Sequence, residues 1–185
     1  MTMKVQVRQN VFETNSSSTH AISVAGYYPE DWNPHYRVPE KIHFSLNREF
    51  GWEFDTYTDT DSKAAYLWLI ICDMHSDVTD LDNLKAVRAH IEKVLTNAGV
   101  KEVTFDMGSY KEHSWRDDGS LYLDYPGYID HSYEAYDFAK VLLDNDEMLL
   151  AYLLDSDSCV ATGNDNSDED PYESEDAKWI YRKGN

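Results

Sequence analysis

The chain has 185 residues, a hydrophobic fraction of 42% and a formal net charge of −19, from 16 basic and 35 acidic side chains. That length buries about 70% of the unfolded surface, enough for one core without staples, and the two well-separated cysteines, Cys72 and Cys159, show no CxxC spacing that would indicate a zinc site or disulfide framework. The charge works against direct contact with nucleic acid or an anionic membrane and favours basic proteins or cations.

The first residues, MTMKVQVRQN, contain no apolar signal core. The longest apolar run, Ala64 to Cys72, covers nine residues, whereas a membrane-spanning helix needs about 20. The expectation is a soluble, cytoplasmic protein.

In chain order, Met3, Val5 and Val7 alternate with Lys4, Gln6 and Arg8, as in a half-buried strand. After the polar stretch FETNSSSTH, Ile22 and Val24 mark a second strand that stops near Gly26, and the proline-containing segment 27–40 reads as irregular. KIHFSLN predicts a third strand with Ile42, Phe44 and Leu46 inward and His43 outward. A helix from about Ser62 to His75 is apolar on nearly every side, which predicts a buried central position. A second helix is expected from an N-cap at Thr79 to a stop at Gly99.

KEVTFDM then resumes strand, and YKEHSWRDDGSLYLDY predicts a hairpin turning at Asp118-Gly119. Helices are expected over about Ser132 to Leu143 and Glu147 to Leu154, followed by a strand at SCVATG and a terminal KWIY segment. Grouped strands and paired helices give an α+β class with a mostly antiparallel sheet packed on helices. The expected organisation is one domain over 1–163, an acidic linker or loop over 164–176, and a segment 177–185 returning to the domain.

Acidic residues are unevenly placed. Val141 to Ala177 holds twelve acids and no Lys or Arg, and GWEFDTYTDTD sets Glu53, Asp55, Asp59 and Asp61, after Glu49, among aromatics. Solvated loops account for most such runs, with partner or cation binding as the alternative. DSDSCVATGNDNSDED has the oxygen content of a calcium site without the EF-hand order, so no metal ligand is assigned.

Three short polar segments carry the candidate chemistry. If the chain is extended through FETNSSSTH, Ser16, Ser18 and His20 share a face, and His20 has the parity of Ile22 and Val24. A half-buried histidine beside hydroxyls is a general-base position, or a core histidine satisfied by a serine. Short hydroxyl-rich loops also cradle phosphate through backbone amides. A serine nucleophile activated by His20 is the weaker alternative, since the strand–elbow–helix context is missing. Asp130-His131, in PGYIDHS, is the second segment; Asp130 or Ser132 there has a helix-capping alternative. The third is GNDN, Gly163 to Asn166, whose plain alternative is a turn. The remaining histidines, His35, His43, His75, His90 and His113, read as surface residues, and Cys72 as core. Trp32, Trp52 and Trp115 read equally as half-buried scaffold or interface anchors.

The VFETNSSS-x-H opening, the IDH segment and the late GNDN stretch together resemble a group of phage and prophage proteins with no assigned activity. The resemblance rests on about twenty residues spread over most of the chain. It implies a phage-type origin, hence a host-cell cytoplasm, and marks Glu13, Asn15, Ser16, Ser17, Ser18, His20, Asp130, His131, Asn164, Asp165 and Asn166 as positions matching the pattern.

Two functional readings follow. In the first, the three segments meet around a phosphate-bearing small ligand such as a nucleotide. His20 and His131 are then the acid/base candidates, Asp130 or Asp165 the orienting carboxylate, and hydrolysis is possible. In the second, the acidic exterior makes the chain a DNA-mimic-like inhibitor of a basic host nucleic-acid-binding or defence protein. The cofactor is unknown in either reading, and a virion or assembly accessory is the blander third option.

Overall fold

The computed structural model describes residues 18–25, 36–51, 53–112, 119–130, 135–164 and 181–183. The fold is α+β and is organised around helix α1, Thr60–Met74, in which every residue from Ser62 to Cys72 is buried. Such a helix has no polar face to turn toward water, so it needs neighbours on all sides. Its start is fixed by Asp59, whose carboxylate accepts a hydrogen bond from the Ser62 amide at 2.8 Å. Packed against α1 are strand β2 (Lys41–Phe44) and helices α3 (Tyr136–Leu143) and α4 (Asp146–Leu154).

Strands β1 (Ser18–Ser23), β4 (Asp55–Tyr57), β9 (Cys159–Asn164) and β10 (Tyr181–Lys183) form an antiparallel sheet in the order β10–β1–β9–β4. The hairpin of β6 (Ser109–Glu112) and β7 (Leu121–Asp124) is also antiparallel, but its register pairs Glu112 with Leu121, so the connection is longer than the tight turn expected at Asp118-Gly119; Gly119, with φ of +71°, lies in it, and Asp118 lies outside the described residues. Two short pairs run parallel instead: β2 with β5 (Glu102–Phe105), and β3 (Glu49–Phe50) with β8 (Tyr128–Ile129). Parallel strands need a long crossover. For β2 and β5 that crossover contains α1 and α2 (Leu81–Asn97), and α2 ends before Gly99, whose φ is +106°.

Several sequence expectations meet the structure directly. Ile42, Phe44 and Leu46 are buried and His43 is exposed, as strand alternation requires. Cys72 is core. The second helix differs at its start. Thr79 is not the cap: the N-cap position of α2 is Asp80, without a side-chain cap bond, and the 3-10 turn that leads into it, Val78–Asp80, is capped by Asp77, whose carboxylate accepts both the Thr79 amide (2.8 Å) and hydroxyl (2.7 Å). A carboxylate is the stronger acceptor, which leaves Thr79 as donor. His75 is less exposed than a free surface histidine because its Nδ1 pairs with Asp80; His90 lies 3.3 Å from Asp146. The expected first strand, Trp32, Trp52, Trp115, His35 and His113 lie outside the described residues. So does 165–176, which is all of the expected acidic linker after Asn164. Among the described residues no helix is long and apolar enough to cross a membrane.

One buried cation ties the core together. Lys63 of α1 is fully buried, and its ammonium donates to the carbonyls of Asp155 (2.6 Å) and Ser158 (3.1 Å) in the turn between α4 and β9. In return the Tyr152 hydroxyl donates to the Lys63 carbonyl at 3.0 Å. Burial pushes the Lys63 pKa down to about 8, with the Asp155 charge partly opposing. Unfolded, the same amine titrates near 10.5. Between these values the unfolded state holds more protons, so the lysine's contribution to stability rises with pH across that window. The stability of the wild type relative to Lys63→Met is therefore expected to increase by about 3 kcal/mol between pH 7 and pH 10.5. Denaturant unfolding of both proteins at the two pH values checks this; a constant difference contradicts it.

Candidate functional site

β1 begins inside the FETNSSSTH segment and β9 runs into GNDN, and the two strands pair antiparallel. The register sets Ser18 opposite Asn164, Thr19 opposite Gly163 and His20 opposite Thr162. Thr162 in turn faces Asp55 of β4. Cross-strand partners share a face, so one row contains His20, Thr162 and Asp55, and the next row inward contains Ile22, Val160 and Tyr57. The Ser18–Asn164 pair stands one row further out. From the Ile22–Val160 row to the His20–Thr162 row the buried side chains change from apolar to polar.

His20 is 2% exposed, and Ile22 and Val24 are buried with it, as its parity predicts. Its ring centroid lies 5.9 Å from that of Tyr66 on α1. Tyr66 packs edge-on against Phe50 at 5.1 Å. Phe50 is the β3 residue opposite Ile129 of β8, and its carbonyl accepts the Asp130 amide at 3.0 Å. The first and third polar segments are therefore direct neighbours, whereas Asp130 is reached from His20 through two aromatic rings. Asp130 does not cap α3, because that helix starts at Tyr136 without a side-chain cap bond. Glu13, Asn15, Ser16, Ser17, His131, Ser132, Asp165 and Asn166 lie outside the described residues.

The acid that the described residues place in the His20 row is Asp55. Asp55 is two strands away, about 10 Å between backbones at normal strand spacing, and Tyr57 and Thr162 crowd the space beside it.

A cleft opens beside this row. Its volume is about 330 Å³, and its described lining is Glu49, Gly51, Glu53, Tyr57 and Tyr128. Glu49 and Tyr128 face each other across the β3–β8 pair. That pair can close because residue 127 is glycine: a Cβ there would lie 2.6 Å from the Leu46 carbonyl oxygen. Tyr57 also lines the cleft, and its ring stands edge-on to Phe50 at 5.1 Å. Its phenol pKa is raised by burial first and then by the Asp55 charge, so it stays protonated as a donor. Thr162 donates its hydroxyl to the Glu53 carbonyl at 2.6 Å, which ties the cleft rim to β9.

Glu49 and Glu53 are exposed, and neither forms an ion pair with a described residue. Phe54 and Tyr128, 48% and 51% exposed, add apolar surface to the same region. A larger groove of about 520 Å³ lies near Asp106 and Asp124. Its carboxylates are internally engaged, Asp106 by the Ser45 hydroxyl and the Leu46 amide and Asp124 by Lys111. Among the described residues no three His, Cys, Asp or Glu side chains are grouped to hold a metal ion.

The acidic and aromatic residues of GWEFDTYTDTD were visible in the sequence as a patch. What no local pattern announced is Tyr128, delivered to that patch by the parallel β3–β8 pair. No protein-family model, curated protein or solved structure matches the chain.

Thr162→Val keeps the shape of the side chain and removes the bond to Glu53. It is expected to cost about 1 kcal/mol of stability, measured by urea denaturation; an unchanged midpoint would mean that this tie does not hold the rim.

Proposed function

We propose that this chain is a phage-type accessory protein that binds a basic host protein, with the carboxylate-and-tyrosine cleft at the open end of the four-stranded sheet as its contact point. The observation that carries this reading is that Glu49 and Glu53, neither in an ion pair with a described residue, line one cleft with Tyr57 and Tyr128 in a chain of net charge −19. A field of one sign draws a cationic partner from a distance, and a shaped cleft then holds it. Proteins that grip nucleic acid present the required basic grooves, and host defence proteins of that kind are the partner class that fits.

The test is capture from bacterial lysate on the immobilised protein at low and high salt, beside a Glu49→Gln/Glu53→Gln double variant. A basic protein retained by the wild type at low salt, released at high salt and depleted severalfold on the double variant is the expected outcome. Equal capture by both, or none at either salt, counts against the reading.

A second reading is favoured by one specific observation, the Ser18–Asn164 pairing, which sets two of the polar segments side by side near His20. A phosphate-bearing small ligand such as a nucleotide would then sit on the amides and hydroxyls of these segments, with hydrolysis as a further step. The neighbouring carboxylates work against an anion there, which is why this reading stands second. Isothermal titration with a nucleotide panel is expected to show binding that weakens at least tenfold in His20→Ala. A folded wild type that binds no member of the panel removes this reading.

A further inference from the structure

Resting on the basic-partner reading, we infer that the cleft is a pocket for a single arginine side chain of that partner rather than a diffuse acidic landing surface. Three features carry the inference. The first is shape. Tyr57 and Tyr128 give the cleft two aromatic lining residues, and Gly51 lines it beside Tyr128; a Cβ added there would sit 3.7 Å from the Tyr128 phenolic oxygen. The missing side chain at 51 leaves the space that a flat group would enter.

The second is the mixture of surfaces. Tyr57 is braced edge-on by the buried Phe50, so it presents a fixed face, while Tyr128 remains half-exposed and uncovered by any described residue. Guanidinium stacks on aromatic faces, and its charge is attracted to the ring quadrupole. An ammonium gains the charge attraction with less of the stacking.

The third is charge complementarity. Glu49 and Glu53 line the cleft, none of the described lining residues is basic, and neither carboxylate has a described ion-pair partner. Two carboxylate acceptors match the forked donors of a guanidinium better than the point charge of a lysine. The larger groove near Asp106 lacks this combination, because its carboxylates are already bonded within the protein.

The experiment uses two rhodamine-labelled peptides of equal length and charge, one of alternating glycine and arginine and one of alternating glycine and lysine. Their affinities for the full chain are measured by fluorescence anisotropy at one ionic strength. The arginine peptide is expected to bind about fivefold more tightly. Gly51→Leu adds no charge and fills the cleft, and it is expected to lower the arginine peptide's affinity to that of the lysine peptide. Tyr128→Ala, which removes an exposed ring, is the second variant and is expected to halve the preference or more; circular dichroism confirms that each variant is folded. Equal affinities in the wild type, or an arginine preference that survives in both variants, overturns the inference while leaving the basic-partner reading in place. Failure of both peptides to bind overturns the inference together with the reading beneath it.

Discussion

Antiparallel pairing of β1 with β9 is the constraint on which the rest of the molecule depends. It joins His20 to Thr162 across most of the chain, and β4 and β10 then add to the outer edges of the same two strands. Closing so long a loop costs conformational entropy before any contact compensates for it. The compensation comes from the sheet's inner row: Ile22 and Val160 belong to the same buried core as α1 and as Phe50 of the β3–β8 pair. Where that core ends, the rows turn polar, and the cleft lies beside them. The site is thus a consequence of where the apolar packing stops.

The electrostatics follow from the same arrangement. Five described lysines, Lys41, Lys85, Lys101, Lys111 and Lys140, each pair with a nearby carboxylate on the surface. Exposed pairs of this kind add little stability, but they locally cancel charge. Lys63 is withdrawn into the core to hold the turn before β9. Glu49 and Glu53 have no ion-pair partner among the described residues, and they share a cleft with Tyr57 and Tyr128, so a cationic group entering there meets both charge and aromatic surface.

Much of the fold was legible because burial imposes periodicity. The uniform apolar run of α1 and the alternation of β2 each reflect a local rule that the structure obeys. Thr79 misled because a hydroxyl and a carboxylate two residues apart compete for one capping role, and the better acceptor, Asp77, takes it. The parallel β2–β5 and β3–β8 pairs were not legible, since strand direction depends on how α1 and α2 route the chain between partners. Of the candidate site, the parity of His20 was readable from its own strand. The pairing of Ser18 with Asn164 was a guess about distant segments that happen to share a register, and the meeting of Glu49 with Tyr128 had no local signal at all.

The account's central claim is that recognition is localised in the cleft between β3, β4 and β8. Side-chain NMR of the tyrosine rings during titration with an arginine-containing peptide tests it most directly. The claim requires the largest shift changes at Tyr57 and Tyr128, with nuclear Overhauser contacts from those rings to the arginine side-chain methylenes. Shifts spread evenly over the acidic surface, with both rings unmoved, would contradict it.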